Sequence, residues 1–216
     1  MSTVLAIPVK DLVNAKQRLV PALSPDERRA LAAAMLEDVL AAVSSARLDE
    51  LWVVTRDAEV TGIARRFGAV VVGEAENRGH TAAVAGAQAR ALAASVRVFA
   101  TVPGDVPCVS AAEVDTLVAA ASAPAPSVVL APSRSGLGTN GVALSPPDAL
   151  AVRFGEPSFD GHIASARARG IEPRVLSLRG LALDVDDADD LQVLLAEGAG
   201  TRSARLVAGW KTAALS

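Results

Sequence analysis

The chain has 216 residues, of which 51% are hydrophobic and only 3% aromatic, and its formal net charge is −3. This length and composition favour one α/β domain with a substantial core. A mildly acidic chain lacks the broad basic face of a nucleic-acid groove, so an anionic partner is expected to be small and locally bound. A single cysteine, Cys108, excludes a disulfide framework within one chain, and no stretch reaches the roughly 18 apolar residues of a membrane span. We therefore expect a soluble, cytoplasmic protein.

Short apolar runs alternate with longer segments of helical periodicity. Strands are predicted at 4–7, 51–55, 69–73, 96–102, 127–131, 141–144 and 174–178. Helices are predicted after N-caps at Ser24, Asp57 and Ser110, and over 81–95, 158–169 and 188–196. This alternation predicts a single-domain, Rossmann-like three-layer sandwich with a mostly parallel sheet. The tail 198–216 is not assigned, and its apolar stretch 206–210 could pack on its own domain or on a second subunit of a homodimer.

The loop after the first strand concentrates positive charge. It contains Lys10, Lys16 and Arg18. The chain has only three lysines, and two of them lie in this loop. Such a cluster is often only a solvated loop. Here, however, acidic motifs follow two later strands, and ligands of parallel sheets bind beyond the carboxyl ends of strands, which favours a binding site. We predict that Pro8, Val9, Lys10, Lys16 and Arg18 hold the phosphates of a nucleotide, with Arg18 suited to a bidentate contact.

Two acidic motifs complete this pattern. Asp105 follows the fourth strand in a Gly-Asp-Val-Pro turn, and Asp184 and Asp186 point the same way from an extended segment. The alternatives are a turn aspartate bonded to its own backbone and a helix-capping role, which we expect Asp187 to take. Because Mg²⁺ prefers carboxylate oxygens, Asp105, Asp184 and Asp186 are candidate ligands of one magnesium ion.

From about residue 5 to residue 195, the chain resembles the guanylyltransferases that attach GMP to a small phosphorylated three-carbon acid in coenzyme F-420 biosynthesis. These enzymes belong to the MobA-like nucleotidyltransferases. The resemblance rests on five motifs in this order: Pro8-Val9-Lys10 with Ala15-Lys16-Gln17-Arg18-Leu19, Gly104-Asp105-Val106-Pro107, Gly138-Thr139-Asn140, Phe154-Gly155 with Ser158-Phe159 and His162, and Asp184-Val185-Asp186.

The resemblance implies a nucleotide-diphosphosugar-transferase-like fold, GTP as donor and Mg²⁺ held by the three aspartates. It also implies that Thr139, Gly155 and Ser158 bind the acceptor, which is 2-phospholactate, phosphoenolpyruvate or 3-phosphoglycerate; the sequence does not choose among these acids. Backbone N–H groups of Gly138, Thr139 and Gly155 could bind its carboxylate or phosphate. Ser158 could equally cap the following helix, and His162 is interpreted as a structural histidine.

One position departs from the family pattern. Many relatives carry a leucine-asparagine pair at the start of the helix after the third strand, where this chain has Gly79-His80-Thr81. His80 and Thr81 are therefore candidate nucleotide-binding residues, with helix capping or surface exposure as the alternative.

The implied chemistry needs no general base, because a phosphate monoester with a second pKa of about 6 is already largely ionised at neutral pH. Catalysis then depends on positioning two polyanions and stabilising charge, the role we assign to Lys10, Lys16, Arg18 and Asp105. Two alternatives remain open: a nucleotidyltransferase with another acceptor, such as a molybdopterin or a sugar phosphate, and a noncatalytic nucleotide-binding regulatory domain.

Overall fold

A computed structural model of the chain describes residues 2–73, 79–122, 124–155 and 157–213. Within these residues seven strands form one sheet in the order β3-β2-β1-β4-β6-β5-β7. The strands are β1 (Thr3–Pro8), β2 (Glu50–Val54), β3 (Val70–Val72), β4 (Val98–Thr101), β5 (Ser127–Pro132), β6 (Thr139–Ser145) and β7 (Arg174–Val175). Neighbouring pairs are parallel except where β6 runs antiparallel to β4 and to β5. The predicted mostly parallel α/β sheet is confirmed.

Helices follow the strands along the described chain. They are α1 (Pro25–Val43), α2 (Ala58–Arg66), α3 (His80–Ala93), α4 (Ala111–Ala121), α5 (Phe159–Ala168), α6 (Arg179–Ala182), α7 (Ala188–Glu197) and α8 (Arg202–Ala213). The side chains of Ser24, Asp57, Ser110 and Asp187 accept backbone hydrogen bonds at four N-termini, as their positions predict.

The sheet lies between two apolar clusters, which gives the predicted three layers. Along β1, Leu5 and Ile7 pack in a cluster with α1, α2 and α4, whereas Val4 and Ala6 pack in a second cluster with α3 and α5. This separation follows from the two-residue period of a strand, which sends successive side chains to opposite faces.

The tail left unassigned by the sequence forms α8 and packs on its own chain. Val207 and Trp210 join a third apolar cluster with residues of α1 and α7. The buried Asp38 of α1 accepts hydrogen bonds from the backbone N–H groups of Arg202 (2.8 Å) and Ser203 (2.9 Å) at the start of α8. Residues 214–216 of the tail lie outside the described residues. Within the described part, no helix combines the length and apolar character needed to cross a membrane.

The main differences from the sequence-based prediction concern β6, β7 and α6. β6 begins at Thr139, not at residue 141, because Thr139 pairs with Pro132 of β5 beyond an irregularity between Ala131 and Pro132. The strand predicted at 174–178 spans Arg174–Val175, and α6 was not predicted. Because β6 is antiparallel, its first residues lie at the same edge of the sheet as the carboxyl ends of the parallel strands.

Candidate active site

An open cleft of about 340 Å³ lies beyond the carboxyl ends of β1 and β4. The strand order reverses between these neighbours, since β2 and β3 extend the sheet on one side of β1 and β4 lies on the other. Ligands of open α/β sheets bind at such a reversal point. Seven residues predicted for the site line this cleft: Pro8, Val9, Lys10, Lys16, His80, Asp105 and Asp186.

Gly104 allows the turn after β4 to approach the loop after β1. A Cβ atom at this position would lie 3.2 Å from Cγ2 of Val9 and 3.4 Å from Cδ1 of Leu36. A larger residue would therefore push these packed side chains away. The close approach places the next residue, Asp105, beside the basic loop.

The two acidic motifs are joined through their backbones. The N–H of Val185 donates a hydrogen bond to the carbonyl oxygen of Asp105, at 3.1 Å. As a result, Asp184 and Asp186, which flank Val185, are held next to Asp105.

Lys16 connects these motifs. Its Nζ lies 2.5 Å from Oδ2 of Asp105 and 2.8 Å from Oδ1 of Asp186, and its side chain is only 7% exposed. Burial acts to lower the pKa of Lys16, but the two carboxylates outweigh it and raise that pKa above its usual range. Lys16 is therefore a buried, charged ammonium that neutralises two of the predicted metal ligands.

The two outer aspartates have opposite pKa shifts. Burial is the main influence on each and disfavours ionisation, but the charge and hydrogen bond of Lys16 keep the pKa of Asp186 below its usual value. No cation pairs with Asp184 among the described residues, so burial raises its pKa, and the charges of Asp105 and Asp186 add to this increase. Asn140 opposes the shift by donating from Nδ2 to Oδ1 of Asp184, at 3.0 Å. The group thus has an excess of negative charge and favours a further cation.

The donor chemistry of Asp105, Asp184 and Asp186 fits a magnesium ion. Their oxygens are the hard ligands that Mg²⁺ prefers, and the ammonium of Lys16 already shows that a cation is stable between two of them. Within the described ranges, no group of three or more histidine, cysteine, aspartate or glutamate side chains is arranged to hold a metal ion. Their assignment as magnesium ligands therefore stays a prediction.

The other two basic residues of the loop face outward. Lys10 is exposed on the wall of the cleft, and the side chain of Arg18 is 69% exposed, with Nη1 3.9 Å from Oδ2 of Asp186. Lys16 has a left-handed backbone (φ 55°), rare for a residue with a side chain, and a short 3₁₀ helix over Gln17–Leu19 follows it. The three basic residues of the loop therefore have different environments. Lys16 pairs with the aspartates, whereas Lys10 and Arg18 are accessible to a phosphate.

The predicted acceptor residues form a second group. Oγ1 of Thr139 lies 2.9 Å from Nδ1 of His162, and Oγ of Ser158 donates to the same oxygen at 3.3 Å. Ser158 occupies the N-cap position of α5 without capping it through its side chain. Gly155 has a φ of +126°, a conformation that favours glycine. Glu156, which comes between Gly155 and Ser158 in the sequence, is outside the described residues.

One predicted anion contact is already used within the protein. The N–H of Gly138 donates to Oγ of Ser133 at 2.9 Å, so it is not free to bind the acceptor as expected. This bond closes the 133–138 loop on itself, which the polar composition of the loop did not reveal.

His80 and Thr81 link the acceptor group to the cleft. The ring of His80 lines the cleft and packs edge-on against Phe154, with ring centroids 4.4 Å apart. Burial lowers the pKa of His80 to about 4, so its ring is neutral at neutral pH. Oγ1 of Thr81 accepts a hydrogen bond from the N–H of Phe154 at 3.0 Å, next to Gly155. His80 thus forms part of the cleft wall, and Thr81 supports the chain just before Gly155, a predicted acceptor residue.

Sequence reasoning missed two supporting residues. Asn140 orients Asp184 through a hydrogen bond, whereas the sequence placed Asn140 in a motif without predicting a role for it. Asp190 accepts the N–H groups of Asp186 (2.9 Å) and Asp187 (3.2 Å) and pairs with Arg134 at 2.5 Å. Its position three residues after the expected N-cap is typical of a capping box and could have indicated this role.

The fold and the cleft define the class of protein. A crystal structure from Desulfovibrio desulfuricans G20, assigned to the nucleotide-diphospho-sugar transferases, matches with a TM-score of 0.80 and covers 98% of this chain and 96% of that one. The two sequences are 15% identical, so the likeness shows the fold alone. It confirms the predicted nucleotide-diphosphosugar-transferase-like architecture.

Sequence comparison places the chain in a narrower group than the fold does. The chain belongs to the family described as guanylyl transferase CofC like, whose model matches residues 3–209. A phosphoenolpyruvate guanylyltransferase of Sphaerobacter thermophilus is 40% identical over 198 residues, covering 90% of this chain and 93% of that protein. A 2-phospho-L-lactate guanylyltransferase of Methanothermobacter thermautotrophicus is 37% identical over 203 residues, covering 94% and 88%. The family resemblance found in the motifs is confirmed.

Proposed function

We propose that the protein transfers GMP from GTP to a small phosphorylated three-carbon acid and releases pyrophosphate, as a step of coenzyme F-420 biosynthesis. The observation that carries the proposal is the convergence of the basic loop and the two acidic motifs, with Lys16 between Asp105 and Asp186. Membership of the guanylyl transferase family supports this function over the two alternatives raised by the sequence.

The charges of the cleft match the demands of this reaction. Lys10 is exposed on the wall of the cleft, and Arg18 is exposed in a second depression beside Asp184 and Asp186, so both can contact the triphosphate and the departing pyrophosphate. Arginine offers two parallel N–H donors to a phosphate, which favours Arg18 for a bidentate contact. Their positive charges offset the repulsion between two polyanionic substrates and stabilise the charge that develops during transfer.

The acceptor brings its own nucleophile. Its phosphate oxygen is largely ionised at neutral pH, so the site needs no side chain to remove a proton. Neutral His80 and the paired Lys16 suit this scheme, since neither is poised as a base. Thr139, Gly155 and Ser158 would hold the acceptor so that its phosphate faces the nucleotide.

When bound, Mg²⁺ would supply charge neutralisation for the phosphoryl groups, and Asp105, Asp184 and Asp186 would hold it. Asn140 and Asp190 would keep two of these ligands in place through their hydrogen bonds to Asp184 and to the N–H of Asp186. Removing a supporting contact of this kind typically lowers metal affinity or activity about 10–100-fold.

The test is a competition assay. The purified protein is incubated with GTP, MgCl₂ and an equimolar mixture of 2-phospholactate, phosphoenolpyruvate and 3-phosphoglycerate. Guanylated products are identified by mass, and pyrophosphate is measured in parallel. We expect one dominant product, with loss of turnover when a chelator replaces MgCl₂. Turnover that persists in chelator, or pyrophosphate release without a guanylated acid, would contradict the proposal.

Base selection is tested in the same assay with ATP, CTP or UTP in place of GTP. We expect GTP to be preferred, because the family is one of guanylyl transferases. Equal use of another nucleotide would show that base recognition differs in this chain, and His80 would then be the first residue to examine.

A further inference from the structure

We propose that His162 is a positioning residue of the acceptor site: it is held in the Nδ1–H tautomer and thereby makes the hydroxyl pair of Thr139 and Ser158 a hydrogen-bond donor toward the acceptor anion. This inference rests on the proposed function for the identity of the ligand. The hydrogen-bond pattern around the ring is independent of that identity.

The tautomer follows from the partner of Nε2. The N–H of Arg153 points at Nε2 of His162 at a distance of 2.9 Å. A backbone N–H only donates, so Nε2 carries no hydrogen. A neutral imidazole then carries its one hydrogen on Nδ1, and Nδ1 donates to Oγ1 of Thr139, 2.9 Å away. His162 is 2% exposed, and burial lowers its pKa, which further favours the neutral form.

The tautomer decides what the hydroxyl pair can offer a ligand. Two hydroxyls carry two hydrogens, and one is used in the bond from Ser158 to Thr139. Because His162 donates to the pair, the second hydrogen has no acceptor among the described residues and can be donated to a ligand. With the opposite tautomer, Nδ1 would accept from Thr139, and the pair would turn only lone pairs outward. Lone pairs repel a carboxylate or a phosphate, so the Nδ1–H tautomer suits an anion site.

The same ring also holds the opposite wall of the acceptor site. By accepting the N–H of Arg153, His162 fixes the chain two residues before Gly155, and Thr81 fixes the next N–H, that of Phe154, at 3.0 Å. One imidazole therefore connects the start of β6 with the turn that precedes α5.

The test uses two substitutions and a control. His162→Phe keeps an aromatic ring against Phe154 but removes both hydrogen bonds, whereas His162→Gln keeps one donor and one acceptor. Ile163→Val, on the same helix, reduces apolar packing without touching the polar groups. The KM values for the acceptor and for GTP are measured separately, together with melting temperatures.

We expect His162→Phe to raise the KM for the acceptor about tenfold, because Thr139 loses the bond that orients its hydroxyl and its contact with the charged acceptor weakens, while the KM for GTP changes less than about twofold. His162→Gln should recover part of the loss, and Ile163→Val should leave both KM values unchanged. In a Thr139→Val background, His162→Phe should add little, because both act on one hydroxyl pair. Equal changes in both KM values, or additive effects in the double variant, would overturn the inference.

A spectroscopic readout separates this inference from the proposed function. Two-bond ¹H–¹⁵N correlation spectra report the imidazole tautomer, and the chain has only two histidines, so the His80→Phe variant assigns the signals. We expect the Nδ1–H pattern for His162 at neutral pH without substrate. An Nε2–H or doubly protonated pattern would refute the inference even in an active enzyme. Absence of guanylyl transfer would refute the proposed function and leave this measurement valid.

Discussion

Replacing Lys16 by methionine tests the central contact of the cleft. The substitution keeps a long side chain and removes the ammonium from between Asp105 and Asp186, which lie 2.5 and 2.8 Å from Nζ. Hydrogen bonds to charged groups contribute about 1.5–3 kcal/mol each. The side chains of Asp105 and Asp186 are 30% and 41% exposed, so water replaces part of this interaction after the substitution. We therefore expect a loss of about 2 kcal/mol in the free energy of unfolding.

The assay is thermal and urea unfolding without metal, followed by turnover with MgCl₂. For a chain of this size, a loss of that magnitude corresponds to a decrease of about 4–8 °C in melting temperature. Turnover should fall about 10–100-fold, because Asp105 and Asp186, which would hold Mg²⁺, lose the group that positions them. Arg47→Met is the matched control, because Arg47 is 93% exposed and its Nε lies 3.7 Å from Asp115. Equal melting temperatures for Lys16→Met and Arg47→Met would refute the buried ion-pair reasoning.

Three further substitutions test the carboxylates. Asp105→Asn should reduce pyrophosphate release about 100-fold or more, while the melting temperature changes little because Lys16 still pairs with Asp186; unchanged activity would remove Asp105 from the mechanism. Asn140→Ala removes a contact that lowers the pKa of Asp184, so the magnesium concentration for half-maximal turnover should rise about tenfold; an unchanged magnesium titration would contradict this role. The pKa of Asp186 in the folded state lies below its unfolded value of about 3.9. The ionised carboxylate of Asp186 therefore stabilises the fold fully above about pH 3.9, and this stabilisation is lost as the pH falls through the folded-state pKa. Asp186→Asn should therefore give a shallower decline of stability between pH 5 and pH 2 in urea unfolding, and an identical decline would disprove the assignment.

Local signals explain why most of the fold could be predicted. The alternation of apolar runs and helical periodicity, together with N-caps at Ser24, Asp57, Ser110 and Asp187, depends on residues a few positions apart. The start of β6 at Thr139 could not be read in this way, because it depends on pairing with Pro132 across the sheet. The docking of α8 likewise depends on Asp38, a residue 164 positions before Arg202.

For the site, the sequence determined that basic residues follow the first strand and that aspartates follow two later strands. Because ligands of parallel sheets bind beyond the carboxyl ends of strands, we could predict that the basic loop and the aspartates form one site. It also carried the family resemblance, because the motifs keep their order along the chain. These inferences need only local pattern and chain order.

Tertiary structure alone decided which of these groups touch. Lys16 reaches Asp186 across 170 positions, Asn140 reaches Asp184 across 44, and His162 reaches Thr139 across 23. Side chains this far apart in sequence meet only after the sheet has formed, and their direction depends on backbone angles and packing that no local pattern encodes. For that reason the sequence predicted Lys16 as a phosphate contact and His162 as a structural histidine, and only the folded chain shows that Lys16 pairs with two aspartates and that His162 bonds Thr139.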